Sequence, residues 1–154
     1  MCSHNPNTRA NKESVFLSGD EIKEKLHLWI RAWNHHDLEG VMIWFHEEIE
    51  FIHWDGTRIR GKAMLRNAWR EWFSDHGNFY FEIQDILVDP EAQKAFFSWT
   101  LQWPSRELDF TGKKEIREGG DVLHFQEGKI ISKQTFSKTF LTVDGRRILL
   151  KAVK

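Results

Sequence analysis

Between Lys94 and Trp103 the chain alternates strictly. Ala95, Phe97, Trp99, Leu101 and Trp103 fall on one face, and Lys94, Ser98, Thr100 and Gln102 on the other. A period of two sustained this long belongs to a strand covered on one side and wet on the other. Such a strand needs antiparallel neighbours, and the flanking sequence supplies them. Phe79 to Val88 reads as a strand that turns through Asp89-Pro90-Glu91 into this one. Pro104 to Thr111 reads as a loop. Lys113 to Phe125 and Lys129 to Phe140 form a further hairpin across Gln126-Glu127-Gly128, and Val143-Asp144-Gly145-Arg146 turns into a last short strand, Ile148 to Val153.

The first half is helical. Ser18-Gly19-Asp20-Glu21 is a capping box, and Ile22, Leu26, Trp29, Ile30 and Trp33 then recur on one helical face, predicting a helix from Gly19 to Asn34. Asp37 caps a second, short helix over Leu38 to Phe45. Ile49 to Trp54 reads as a strand, Asp55-Gly56 as its turn and Thr57 to Arg60 as the return. Gly61 opens a third helix to Ser74, with Met64, Leu65, Ala68, Trp69, Trp72 and Phe73 along one side. Helices ahead of a long meander predict an α+β domain. Its sheet should curve, and helices that cover the concave face incompletely leave a cavity open at one end.

Residues 1–17 are polar and aperiodic and read as a flexible arm; 18–140 form the domain, and 141–154 a C-terminal hairpin extension of it. A chain of 154 residues buries a core without metal or disulfide staples. Lys and Arg number 22 against 23 Asp and Glu, with no block of like charge, which argues against nucleic acid or an anionic membrane as partner. The chain holds no apolar run long enough to span a bilayer, and its lone Cys2 suits a reducing cytoplasm. Eight Trp and twelve Phe beside one Tyr supply more flat apolar surface than a core of this size requires. Aromatics fill cores and line ligand pockets alike.

Asp37-Leu38-Glu39-Gly40, Gly61 at the head of the third helix, and Asp121-Val122-Leu123-His124-Phe125 followed by Gly128-Lys129-Ile130 together resemble the NTF2-like superfamily over about residues 18–140. Within it the chain is similar to the SnoaL-like group and its relatives, the ketosteroid isomerases. The resemblance implies a cone-shaped fold with three N-terminal helices on a strongly curved, mostly antiparallel sheet. It also implies a homodimer, a deep pocket for a small hydrophobic molecule, and chemistry without a cofactor. Position by position, the isomerase tyrosine of helix 1 falls on Trp29, the general-base aspartate on His53, and the second oxyanion-hole acid on Asp121. Trp and His thus stand where the isomerase pattern has Tyr and Asp.

The residues themselves nominate the same places. Asp121 shares strand parity with Leu123 and Phe125, so its carboxyl should face inward, where it either serves as acid or base or pairs with a cation. His53 shares parity with Ile49 and Phe51, and an imidazole there suits proton transfer at an enolisable carbon or else bonds to a backbone carbonyl. Lys133, in phase with Ile131 and Thr135, pairs with Asp121 or meets a ligand if its face is concave, and is solvated if it is not. Trp29, Trp33, Phe81, Phe97, Trp99 and Trp103 form the aromatic lining, with Leu123 beside Asp121 and Trp103 at the mouth.

Other chemistries lack their residues. The histidines show no metal-ligand spacing, so no metal is expected. Gly119-Gly120 lacks the helix and Lys-Ser/Thr pair of a phosphate loop and is expected to form a bulge that bends its strand. Three functions remain: a cofactor-free acid/base enzyme on a cyclic or aromatic substrate, a non-catalytic binding domain, and a dimeric interaction module.

Overall fold

The computed structural model describes residues 15–150. Three helices, α1 (Gly19–Asn34), α2 (Leu38–Met42) and α3 (Lys62–Asp75), lie in the first half, with strands β1 (Phe45–Ile52) and β2 (Arg58–Arg60) between the second and third. Then come β3 (Tyr80–Asp89), β4 (Lys94–Pro104), β5 (Lys114–Gln126), β6 (Lys129–Ser137), β7 (Phe140–Val143) and β8 (Arg146–Leu149).

All described strands belong to one mixed sheet, ordered β2-β1-β6-β5-β4-β3, with the β7–β8 hairpin attached to β5. Only β1 and β6 run parallel among the described pairs. β5 is long enough for two partners: Gly119 to Gln126 pair with β6, and Glu115 and Ile116 pair with β7. The sheet curls as a half-barrel around a core in which Trp29, Trp99, Phe45, Phe79 and Phe97 are the largest enclosed side chains.

Local chemistry seats the helices. The capping box forms as its spacing predicts: the Glu21 N–H donates to Ser18 Oγ at 3.1 Å, and the Ser18 N–H donates to Glu21 Oε1 at 3.2 Å. α1 buries Ile22, Leu26, Trp29 and Trp33, and α3 buries Leu65 and Trp69. At the end of α1, Asn34 donates to the Phe81 carbonyl and accepts from the Phe81 N–H, both at 2.8 Å. One side chain thereby satisfies backbone groups that the edge strand β3 would otherwise expose, and fixes α1 against the sheet.

Four sequence expectations change. The strand expected from Lys129 to Phe140 stops at Ser137, and Phe140 opens β7, which pairs with β5 and β8. α2 ends at Met42 rather than Phe45, because the Trp44 carbonyl accepts from the Ile130 N–H at 2.8 Å and Phe45 pairs with Ile130. Pairing with a distant strand outcompetes the last helical turn. No bulge occurs at Gly119-Gly120, since the β4–β5 register runs unbroken from Lys94↔His124 to Pro104↔Lys114. The glycines are there for closeness: a Cβ on Gly119 would lie 2.2 Å from the Phe136 carbonyl oxygen and 2.6 Å from the Trp99 ring. Leu17, expected in the arm, is buried, and its backbone exchanges hydrogen bonds with the Gln93 side chain at 3.0 and 2.9 Å. The rest of the expected arm up to residue 14, and the end of the last expected strand from residue 151, lie outside the described residues.

Candidate functional site

β5 builds the polar side of the concave face. Its inward residues are Glu115, Arg117, Gly119, Asp121, Leu123 and Phe125, one of every two along the strand. Register sets the neighbours of two of them. Asp121 lies opposite Phe97 on β4 and Thr135 on β6, while Lys133 lies opposite Leu123, diagonal to Asp121. A lysine spans that diagonal easily.

The result is a buried polar knot. Lys133 Nζ donates to Asp121 Oδ1 at 2.8 Å and to Thr135 Oγ1 at 2.6 Å; Thr135 Oγ1 donates to Asp121 Oδ1, and Trp99 Nε1 donates to Asp121 Oδ2 at 3.1 Å. Asp121 and Lys133 are 4% and 6% exposed, so each charge depends on the other for compensation. Three aromatic rings also face the ammonium, Phe51 at 5.0 Å and Trp29 and Trp69 at 6.0 Å.

Above the knot lies a cavity of about 70 Å³. Trp29, Ile30 and Trp33 of α1 form one wall, and Trp69 and Trp72 of α3 another. Phe81, Phe97, Trp99 and Leu101 come from β3 and β4, and Asp121, Lys133 and Thr135 form the polar floor. Phe51, His53 and Trp54 complete the lining. Trp29 meets Trp33, Phe45 and Phe97 edge-on at 5.8 to 6.1 Å, and Trp33 meets Trp69 at 4.8 Å, so the walls support one another.

His53 sits just beyond the end of β1, where the chain enters the Asp55-Gly56 turn. Its Nδ1 lies 3.3 Å from Asp55 Oδ1, and its side chain is 32% exposed. Its ring is 4.2 Å from that of Trp54, which in turn stacks on the Arg117 guanidinium at 4.5 Å. A second buried ion pair lies behind them. Glu115, wholly enclosed, accepts from Ser105 Oγ at 3.0 Å and from Trp103 Nε1, and its Oε2 is 3.4 Å from Arg117 Nε; Arg117 Nη2 donates to Glu107 Oε1 at 3.3 Å.

The structure brings Asp121, His53, Lys133, Trp29, Trp33, Phe81, Phe97 and Trp99 to one cavity. Asp121 and His53 border the same space, yet the described hydrogen bonds of Asp121 go to Lys133, Thr135 and Trp99. Lys133 is buried on the concave side, not solvated. Two expected lining residues are elsewhere. Leu123 is sealed in the core, and Trp103, expected at the mouth, is buried behind Trp54, stacked on His76 at 5.4 Å and tied to Glu115. The Pro104 end of β4 is covered, because Ser105 reaches back to Glu115. Sequence reasoning passed over Phe51, Thr135, Trp69 and Trp72 as lining, although parity with His53 and Lys133 and the apolar side of α3 pointed to the first two and the last two. Glu115 and Arg117 carried the same signal, parity with Asp121. Trp54 carried none: it has the wrong parity for a strand, and it faces the cavity because β1 has already ended.

Burial pushes the His53 pKa below its ordinary 6.5; Asp55 opposes this, while Lys133 and Arg117 add to it. Burial lowers His76 in the same way, with Arg106 assisting. Both histidines are therefore neutral in the fold at pH values where they would take a proton once unfolded. Stability from this source is complete above about pH 6.5 and declines as pH falls below it. Asp55, held below its ordinary 3.8 chiefly by the Thr57 N–H, adds its loss only in stronger acid. Urea unfolding at pH 7.5 and pH 5.5 should give the lower midpoint at 5.5, and His53→Gln with His76→Gln should narrow the gap. An unchanged gap would place the responsible groups elsewhere.

No helix of the described residues is long and apolar enough to cross a membrane, and no three His, Cys, Asp or Glu side chains among them gather to hold a metal ion.

Solved structures share this course of helices around a curled sheet. An NTF2-like protein of unknown function from Burkholderia pseudomallei superposes with a TM-score of 0.65 at 11% identity, over 75% of this chain and 89% of that one. AclR, a putative hydroxylase from Streptomyces galilaeus, gives 0.66 at 17% identity over 79% and 92%. SalBIII, an epoxide hydrolase/cyclase-like enzyme with a role in pyran ring formation in the polyether salinomycin, gives 0.66 at 16% over 77% and 92%. At these identities the likeness defines a class by fold: an NTF2-like α+β protein. The family is fixed by sequence, because the model of the SnoaL-like domain matches residues 26–133, and the chain belongs to that family. No curated protein matches it in sequence.

Proposed function

We propose that this SnoaL-like protein binds a small, hydrophobic cyclic or aromatic molecule in the cavity and performs cofactor-free acid/base chemistry on it, with His53 as the proton-transferring group. The observation that carries the proposal is one half-buried imidazole, its pKa lowered by burial, bordering a largely aromatic hollow with a buried carboxylate at its floor. A proton held on Nδ1 toward Asp55 leaves the Nε2 lone pair as the basic position. An isomerisation, in which a proton leaves one carbon of the ring and returns to another, balances with no co-reactant. The Asp121–Lys133–Thr135 knot supplies fixed dipoles and charge at the floor. At about 70 Å³ the cavity is smaller than the roughly 150 Å³ that accepts a benzene ring, so a ring of that size requires the lining side chains to move apart.

A second reading is non-catalytic binding. It is favoured by the hydrogen bonds that Asp121 receives from Lys133, Thr135 and Trp99, which occupy both carboxylate oxygens. A ligand captured by the purified protein, followed by turnover assays on it, separates the two. His53→Ala should lower kcat by about 10²-fold or more, and the wild-type rate should fall as pH drops through a value below 6.5. Binding that persists in wild type and variant without turnover in either supports the second reading. We place the protein in the cytoplasm as a homodimer; light scattering that gives a monomer at micromolar concentration would remove the dimer.

A further inference from the structure

One nitrogen on the cavity floor serves the acid/base reading only as a fixed charge. Lys133 is the only buried lysine among the described residues, and it borders the cavity. An ammonium carries three N–H donors. One goes to Asp121 Oδ1 at 2.8 Å and one to Thr135 Oγ1 at 2.6 Å. The third has no acceptor among the described hydrogen bonds. Nζ faces the rings of Phe51, Trp29 and Trp69, and all three line the same cavity. The knot thus holds one side of the nitrogen, and cavity walls bound the other.

A lysine amine in an apolar hollow is the side chain that condenses with carbonyl carbon. Its neighbours supply what condensation needs. Asp121 accepts a proton from Nζ across their hydrogen bond, and the freed lone pair forms a C–N bond as the C=O π pair moves to oxygen. Asp121 passes that proton to the oxygen, then takes a second from nitrogen and delivers it to the hydroxyl, which leaves as water. The carboxylate ends as it began, and the ammonium has become an iminium. That product suits its surroundings. An iminium keeps one positive charge at nitrogen, so buried Asp121 retains its counter-charge, and the rings that faced the ammonium face the new cation.

We infer that Lys133 is a nucleophile that captures an aldehyde or ketone with an α-hydrogen as an iminium, with Asp121 carrying the protons. This rests on the ligand-binding reading above and gives the cavity a covalent step. The iminium draws electrons from the α-carbon. His53, on the same cavity, takes the α-proton; the C–H pair becomes the C=C bond of an enamine, and the C=N π pair goes to nitrogen. Return of the proton to carbon restores the iminium, and water releases the carbonyl compound.

The test is reductive trapping. The protein is incubated with propanal or cyclohexanone and cyanoborohydride, which reduces an iminium to a stable amine, and the alkylated lysines are mapped by peptide mass spectrometry. A cavity that holds carbonyl against amine should give Lys133 about tenfold more label than the average exposed lysine. Lys133→Arg keeps the charge beside Asp121 and should lose this site's label while the exposed lysines react as before. Mapping of the wild-type protein carries the test if the variant does not fold. His53→Ala should still be trapped at Lys133 but should lose most of the exchange of the propanal α-hydrogens for deuterium in D₂O. Occupancy is read separately, from shifts of the indole resonances of the lining tryptophans. If propanal or cyclohexanone moves those resonances and Lys133 carries no more label than exposed lysines, the nucleophile is overturned while the pocket stands. If neither compound moves them at millimolar concentration and Lys133 is unlabelled, both the inference and the ligand-binding reading fall.

Discussion

Lys133→Met is expected to destabilise the protein by about 3–5 kcal/mol, because it strands the buried Asp121 carboxylate without its counter-charge. For a chain of 154 residues that is a fall in Tm of roughly 10 °C or more. Thr135 and Trp99 would still donate to the carboxylate, which sets the loss nearer the lower figure. The double change Lys133→Met with Asp121→Leu should recover most of it, since a buried ion pair replaced by apolar groups of similar volume is often neutral in stability. Urea unfolding of both variants checks this. A single variant within 1 kcal/mol of wild type would mean that the carboxylate does not depend on the ammonium. A double variant as unstable as the single would mean that Lys133 matters for packing against Phe51, Trp29 and Trp69 rather than for its charge.

Gly119→Ala should cost about 3 kcal/mol, at the upper end for one added methyl. The new Cβ would lie 2.2 Å from the Phe136 carbonyl oxygen, which is backbone of the paired strand and cannot yield without breaking the β5–β6 ladder. It would also lie 2.6 Å from the Trp99 ring, whose indole bonds to Asp121. The variant should therefore lose stability and disturb the cavity floor together. Gly120→Ala meets chiefly the Phe96 ring, at 2.6 Å, and a ring edge moves more readily than a strand, so its cost should be smaller. Thermal unfolding of the pair checks the order. Equal losses would show that the effect is general to glycine in this strand.

Much of this architecture can be read before any coordinates. Helix α1, the hairpin from Tyr80 to Pro104 and the turn at Asp144-Gly145 follow from short-range rules, and they fall where those rules put them. The inward set of β5 is likewise a matter of counting by two. Reading stopped where the chain changes state. His53 and Trp54 have opposite strand parity and still border one cavity, since β1 gives way to a turn after Ile52. Trp103 keeps its inward parity and is nonetheless no mouth residue, because the following loop folds back over it through Ser105 and Glu115.

By itself the sequence determined the periods: two in the strands, 3.6 in the helices, with caps and turns at their ends, and hence which residues turn away from water. These depend on neighbours a few positions apart. The tertiary structure alone decided which inward residues meet. Lys133 reaches Asp121 because β6 pairs with β5 in the register that sets it opposite Leu123; a slip of one residue would turn its ammonium out to solvent. The parallel pairing of β1 with β6 shortened α2 and carried Phe51 to the same ammonium. Register between distant segments is settled by the whole core at once, and no local run of residues encodes it.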